Sequence, residues 1–230
     1  MNDNNNYQIL FDLFKEIEAY LSKVVNEDIR NFNDLLKTSC EKQPHIKKYS
    51  GELNDLSLIR TLIAHKKREH LILIPESTIK RVKEILDYIR NPPTVLEKFE
   101  KKVYVCDSDN LLIDILKVMK KETFTHIPVY NKGKIKGILS EVSVTNWLAD
   151  KKEINLKNII VGDLGEFLDN QPNEFFDFVK KDEDAYKVKE RFLNEVKDKK
   201  RLGAIFITEN GKKEEKLLGV ITAWDIPILD

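Results

Sequence analysis

Gly137-Ile138-Leu139-Ser140-Glu141-Val142-Ser143-Val144 returns later in the same chain as Gly219-Val220-Ile221-Thr222-Ala223-Trp224-Asp225-Ile226. In each copy an apolar run ends in a small hydroxyl residue, and a polar or acidic residue follows three positions on. The run reads as a strand and the polar step after it as the opening of a short helix. A hydroxyl or carboxylate placed there can hold a sugar hydroxyl, since the carboxylate accepts charge-assisted hydrogen bonds and the hydroxyl both donates and accepts. A pattern stated twice implies paired ligand positions more than a single catalytic cleft.

Outward from these stretches the chain repeats in more detail. In the first copy residues 103–105 read as a strand. Residues 111–119 read as a helix burying Leu112, Ile115, Leu116 and Met119. Residues 127–130 form a strand, Asn131-Lys132-Gly133-Lys134 a hairpin turn and 135–139 the return strand, followed by a helix over 142–149. In the second copy 176–179 is a strand and 185–196 a helix. Residues 204–208 are a strand, Glu209-Asn210-Gly211 starts a turn, 217–221 returns, and the last helix is expected to be very short or missing. Each copy is thus β-α-β-β-α and too small to bury a full core alone, so the copies are expected to pack together as a pseudo-twofold pair.

Residues 7 to about 90 carry a different period. Ile9, Leu10, Leu13, Phe14, Ile17, Tyr20, Leu21 and Val24 follow helical spacing, Ile29, Phe32, Leu35 and Leu36 continue it, and Leu53, Leu56, Ile59, Leu62 and Ile63 repeat it. Ser77 is a candidate cap for a helix that turns Ile79, Val82, Ile85, Leu86 and Ile89 inward. Asn91-Pro92-Pro93 ends that helix, because proline lacks the amide the ladder needs. The fold class is therefore α+β: a helical domain over 1–93, and a module over 94–230 with copy one at about 96–150 and copy two at about 175–230. A charged, partly apolar connector of residues 151–174 joins the copies.

Composition narrows the function. The 230 residues hold 39 Lys+Arg against 39 Asp+Glu, so the net charge of zero gives no overall pull toward nucleic acid or an anionic membrane. Cys40 and Cys106 stand far apart without metal-ligand spacing, so neither a disulfide framework nor a metal site is expected. No apolar run of membrane-spanning length occurs and the first residues are polar, which predicts a soluble, cytoplasmic protein without membrane contact. There is no phosphate-cradling glycine loop and no nucleophile signature.

The second part of the chain resembles a tandem pair of cystathionine-β-synthase-type (CBS) domains. The resemblance rests on Thr125-His126-Ile127-Pro128-Val129 with Gly137-Ile138-Leu139-Ser140, and on Arg201-Leu202-Gly203-Ala204-Ile205 with Gly219-Val220-Ile221-Thr222-Ala223-Trp224-Asp225. It implies that adenosine-containing ligands (AMP, ADP, ATP or a related adenosyl compound) bind between the copies as regulators, with no cofactor required. By this resemblance Thr222 and Asp225 would hold the ribose and Val179, Gly203 and Ala204 would line the base. Lys180-Lys181 and Lys199-Lys200-Arg201 would face phosphates. Asp225, ahead of Ile226-Pro227, also reads as a helix N-cap. A second site would use His126, Pro128, Ser140 and Ser143. Here Ser143 stands where the other copy has Asp225, a departure from the family pattern. His126 also reads as a structural residue at the base of its strand and Pro128 as a strand-edge proline. Trp147 and Trp224 read as packing residues.

In the helical part, Arg60-Thr61-Leu62-Ile63-Ala64-His65 resembles the Arg-x(4–6)-His motif of HEPN-type helical domains, which often dimerise and in many members cleave RNA without metal. Histidine would serve there as general acid or base, and arginine would stabilise phosphate charge. Five residues apart, the two point about 140° away from each other on an ideal helix, so a shared site would need a helix end, a kink or a second protomer. Thr61 replaces the family's usual Asn. The simpler reading pairs Arg60 with Asp55 or Glu69. The sequence thus leads to a nucleotide-sensing regulator, with a nucleotide-regulated ribonuclease of toxin or defence type (Arg60 and His65 as its catalytic residues) and a ligand-free dimeric scaffold as alternatives. A homodimer is expected, and RNA is a candidate partner.

Overall fold

The structure is a computed structural model that describes residues 3–66, 73–169, 174–197 and 201–229. It divides into two compact units, Met1–Pro93 and Thr94–Asp230. The first is helical, with α1 (Asp3–Val25), α2 (Phe32–Lys42), a 3-10 turn (Pro44–Tyr49), α3 (Ser50–Lys66) and α4 (Glu76–Arg90). Leu10, Phe14, Ile17 and Leu21 of α1 bury the stripe read from their spacing, against Leu35 and Leu36 of α2 and Ile85 and Ile89 of α4. Asn31 caps α2 by accepting from Asn33 and Asp34. Across α3 and α4, Arg81 makes a bidentate pair with Glu52 at 2.8 and 2.7 Å, and its guanidinium lies over the Tyr49 ring. Ser77 does not cap α4: the helix starts at Glu76, with Pro75 in the cap position. Leu62, expected on the buried stripe of α3, is exposed.

The second unit starts with a short helix, α5 (Val95–Phe99), closed by a capping box between Thr94 and Glu97. Copy one comprises β1 (Cys106–Asp107), α6 (Leu112–Glu122), β2 (His126–Asn131), β3 (Lys134–Ser140) and α7 (Glu141–Ala149). Copy two comprises β4 (Glu174–Lys180), α8 (Ala185–Lys197), β5 (Arg201–Thr208) and β6 (Gly219–Ile221), then a 3-10 turn over Ile226–Leu229. The sheets have the same order, β1-β2-β3 and β4-β5-β6. In each, the first pair is parallel across a helical crossover and the second antiparallel. Lys132 and Gly133 both take positive φ, 49° and 78°, as a two-residue hairpin whose twist matches its strands requires.

The first strand differs from expectation. Residues 103–105 are not a strand, and pairing begins only at Cys106. The backbone accounts for this. Ahead of β1 the chain is held by copy two: Val95 N donates to Glu183 O, Leu96 N to Lys181 O, and Glu100 bridges Gly219. Residues 95–100 therefore belong spatially to copy two. The connector does the reverse. Leu112 N donates to Ile159 O, Val161 N to Asn110 O and Gly162 N to Ser108 O, and Val161, Leu164 and Leu168 complete the core of copy one. Pro128 lies on the central strand of its sheet, not at an edge. It stays compatible with the ladder because β1 begins opposite Val129, one residue beyond it.

Ile138 of copy one packs with Ala204 and Phe206 of copy two, and Phe176, Phe178, Leu217 and Val220 surround them. Within copy one, β3 and the connector approach closely: a Cβ at Gly137 would stand 2.8 Å from the Leu168 carbonyl carbon. Gly137→Ala is thus expected to destabilise the unit by about 1–3 kcal/mol, the usual penalty of overpacking. A urea titration that places the variant's midpoint at the wild-type value would show that the contact gives way freely.

Candidate functional site

Both strand ends share one bond, from the strand-end amide to the side chain three residues on. In copy one Ser143 N donates to Ser140 Oγ at 3.0 Å and Ser140 N to Ser143 Oγ at 2.7 Å, a reciprocal capping box. In copy two Thr222 N donates to Asp225 Oδ2 at 2.8 Å and Thr222 Oγ1 to the same oxygen at 2.9 Å. The Asp225 carboxylate therefore faces back toward Thr222, which is not what a forward N-cap over Ile226-Pro227 would do. Its other oxygen, Oδ1, accepts from Lys101 Nζ at 2.8 Å.

Thr222 and Asp225 open onto a cleft of about 930 Å³ within the second unit. Its far walls come from copy one: the lead-in residues Lys101–Tyr104 and the turn after α6. That turn is sharp because Thr123 takes a left-handed conformation at the helix end, φ 56°, after which Phe124, Thr125 and His126 line the cleft. Lys102 and Lys120 supply cations beside Lys101, while Glu122 and Glu141 supply acids. A space of this size, with apolar walls and a convergent hydroxyl–carboxylate pair, has the make-up of a small-molecule site.

The residues expected to line a base are elsewhere. Val179 and Ala204 are buried, Ala204 in the core between the copies. Gly203 lies against His126 and Glu174 and leaves no room for even a Cβ. Lys180 is at the surface 3.6 Å from Asp182, and Lys181 is 2.6 Å from Glu209. Arg201 turns to Glu174 at 3.4 Å. Lys199 and Lys200 lie outside the described residues. The cleft cations, Lys101, Lys102 and Lys120, carry no local spacing signal: Lys101 follows the long-range Glu100–Gly219 bridge, and Lys120 stands on α6.

The second expected site is closed. His126, Ser140 and Ser143 do come together, but around a buried carboxylate. Ser140 Oγ donates to Glu174 Oε2, and His126 Nε2 lies 3.3 Å from Glu174 Oε1. The Glu174 side chain is only 7% exposed. The void left among these groups is about 10 Å³, room for no more than a water. Burial alone would raise the Glu174 pKa. The hydrogen bonds from His126 and Ser140 and the charges of His126 and Arg201 outweigh it and hold the carboxyl below its ordinary value. Glu174 itself gave no signal in the sequence, since acidic residues near strand starts are common.

Among the remaining expected roles, Trp147 is buried in the core of copy one, but Trp224 is 84% exposed and is not a packing residue. Burial pushes the Cys106 thiol up to about 12, so it stays protonated and inert. No group of metal-binding side chains occurs among the described residues. The Arg60 guanidinium lies over the Phe14 ring, 5.4 Å from its centroid, and Glu69, one of its two expected acid partners, lies outside the described residues. The side chain of His65 lies outside the described residues. No described helix is long and apolar enough to cross a membrane.

Residues 82–150 match the CBS domain family. The CBS match begins inside α4 and ends with α7, so it covers copy one and stops short of copy two. No curated protein matches the chain. Among solved structures, it is similar to the CBS domain pair of protein MJ0100, solved with 5′-methylthioadenosine and S-adenosyl-L-methionine (18% identity, 60% of this chain and 94% of that one, TM-score 0.41). It is also similar to protein MJ1225 of Methanocaldococcus jannaschii (18%, 68% and 53%, TM-score 0.46). A third is the CBS domain protein TA0289 of Thermoplasma acidophilum (15%, 59% and 67%, TM-score 0.44). Overlaps this loose do not fix the architecture, which rests on the sheet order above.

A carboxyl held below its ordinary pKa stabilises the fold above that pKa, and the stabilisation is lost as pH falls through the folded value. The stability gap between wild type and Glu174→Gln should therefore be widest near neutrality and close as pH drops below 4.5, the carboxyl's reference value. Chemical denaturation at stepped pH measures it. A gap that stays constant through pH 3 would show that the charge of Glu174 is irrelevant.

Proposed function

We propose that the Thr94–Asp230 unit is a regulatory adenine-nucleotide sensor and that the helical unit, HEPN-like in its sequence pattern, carries its output. The observation that supports this is the Thr222–Asp225 pair opening onto the roomy cleft between the copies. A nucleotide offers a vicinal diol for Asp225 and Thr222, an aromatic base for the apolar wall and phosphates for Lys101, Lys102 and Lys120. Because Glu174 fills the space at Ser140 and His126, the protein binds one ligand per chain. Ligand acts by shifting the packing of the two copies, and the size of the response is limited by the ligand's difference in affinity for the two arrangements. The functional form is a homodimer in the cytoplasm. Sedimentation equilibrium at the monomer mass across the micromolar range would remove the dimer.

Thermal unfolding with AMP, ADP, ATP, S-adenosylmethionine and cyclic di-AMP tests the sensor. A ligand at a hundred times its Kd adds about 2.7 kcal/mol, a melting shift of several degrees. One ligand should produce this shift, Asp225→Ala should abolish it, and calorimetry should give one site per chain. A stoichiometry of two would overturn the closed second site. A shift that persists in Asp225→Ala would place the ligand elsewhere.

A further inference from the structure

Trp224 is anomalous. Only two tryptophans occur in the chain, and the other, Trp147, is 3% exposed, whereas Trp224 is 84% exposed. A large apolar ring left in water beside a cleft calls for an explanation that a lone exposed leucine does not. It sits between Thr222 and Asp225 in sequence and lines the same cleft. Two further rings line that cleft, Tyr104 and Phe124, 41% and 37% exposed. They are paired, with centroids 5.8 Å apart and planes inclined by 31°. Part of each ring is thus open to the cleft. Phe206, by contrast, is buried in the core between the copies.

A diol-binding pair and open ring faces in one cleft are complementary to the two ends of a nucleoside. The carboxylate and hydroxyl suit the sugar and the flat faces suit a heteroaromatic base. Indole stacks on any base and also carries a donor N–H at its edge. We propose that the base of the bound nucleotide stacks on Trp224, with the Tyr104–Phe124 pair as a second apolar wall, so that Trp224 is a base-binding residue of this site. The idea rests on the sensor reading above. It relocates the base from Val179, Gly203 and Ala204, which are buried, to side chains that are open. It also makes recognition tolerant of the base's hydrogen-bonding edge, because every base has a π-face. The ribose then supplies orientation and the rings supply most of the affinity.

The test compares wild type, Trp224→Ala and Trp224→Phe by calorimetry with AMP and ATP, with ribose 5-phosphate as a probe that lacks the base. Trp224 touches solvent over most of its surface, so the ligand-free melting temperatures of the variants should equal that of wild type. Loss of base stacking corresponds to a roughly ten- to hundredfold weaker Kd for Trp224→Ala. Trp224→Phe should stay within a few-fold of wild type, and ribose 5-phosphate should bind all three alike. Wild-type tryptophan fluorescence should change on AMP binding, and that change should be absent in Trp224→Phe. Unchanged AMP affinity in Trp224→Ala overturns the stacking role while the sensor reading stands. A drop in oligomeric mass with unchanged affinity overturns it in favour of a contact between copies of the chain. Failure of wild type to bind any adenine nucleotide removes the sensor reading, and the stacking with it.

Discussion

The bridge between Glu100 and Gly219 is the contact on which the cleft depends. Neither three-stranded sheet can cover both of its faces, so each copy borrows chain from outside itself. Copy two borrows α5 and the residues up to Glu100, and copy one borrows the connector turns ending at Leu168. The exchange fixes where the chain runs next. Lys101 emerges beside Asp225, and Tyr104 comes to lie against Phe124. A wall of copy one thus stands opposite the strand end of copy two, and a cleft forms without any loop dedicated to it.

The two copies diverge through one residue in a shared backbone motif. At each strand end the backbone amide donates to the side chain three residues on, Ser143 in one copy and Asp225 in the other. A serine satisfies the amide and turns its own proton to the Ser140 carbonyl, 2.8 Å away. Ser140 is left to meet an incoming acceptor, and Glu174 takes that place. A buried carboxylate would be expensive alone, but it is met by a hydroxyl, an imidazole and a guanidinium. An aspartate instead puts a carboxylate at the cleft, where its second oxygen accepts from Lys101. The same fold therefore yields a sealed position and an open one.

Local signals were legible in the sequence. The Lys132-Gly133 hairpin, the buried face of α6 and the break at Pro92-Pro93 each follow from chemistry within a few residues. The three-residue spacing of Thr222 and Asp225 was legible too, but not that Asp225 turns back to accept from Thr222. What failed was long-range. Residues 103–105 have strand composition, but β propensity measures fit to a half-buried surface, and the chain just ahead of them is tied to copy two through Glu100 and Lys101, with pairing to β2 starting only at Cys106. The base wall was placed on Val179, Gly203 and Ala204 for their small side chains, but these are the positions where close packing buries them. Trp224 was assigned to packing from residue type alone, which says nothing about the side of the strand end on which it emerges.

Magnitudes decide how a ligand could use this site as it stands. Asp225 Oδ2 already accepts twice from Thr222 and Oδ1 accepts from Lys101, so one lone pair at Oδ1 remains for a sugar hydroxyl unless the lysine leaves. The lysine side chain is 42% exposed and the aspartate 25%, and a pair that is this open contributes about 0–1 kcal/mol. Breaking it is a small loss beside the roughly 1–3 kcal/mol that a stacked base supplies. A ligand that also brings a phosphate returns the lysine an anion to meet, so the loss shrinks further. A bare sugar has neither compensation and must accept the single remaining position. Selectivity at this cleft thus follows less from the diol pair that makes it recognisable than from what the rest of the ligand offers to Lys101 and to the rings.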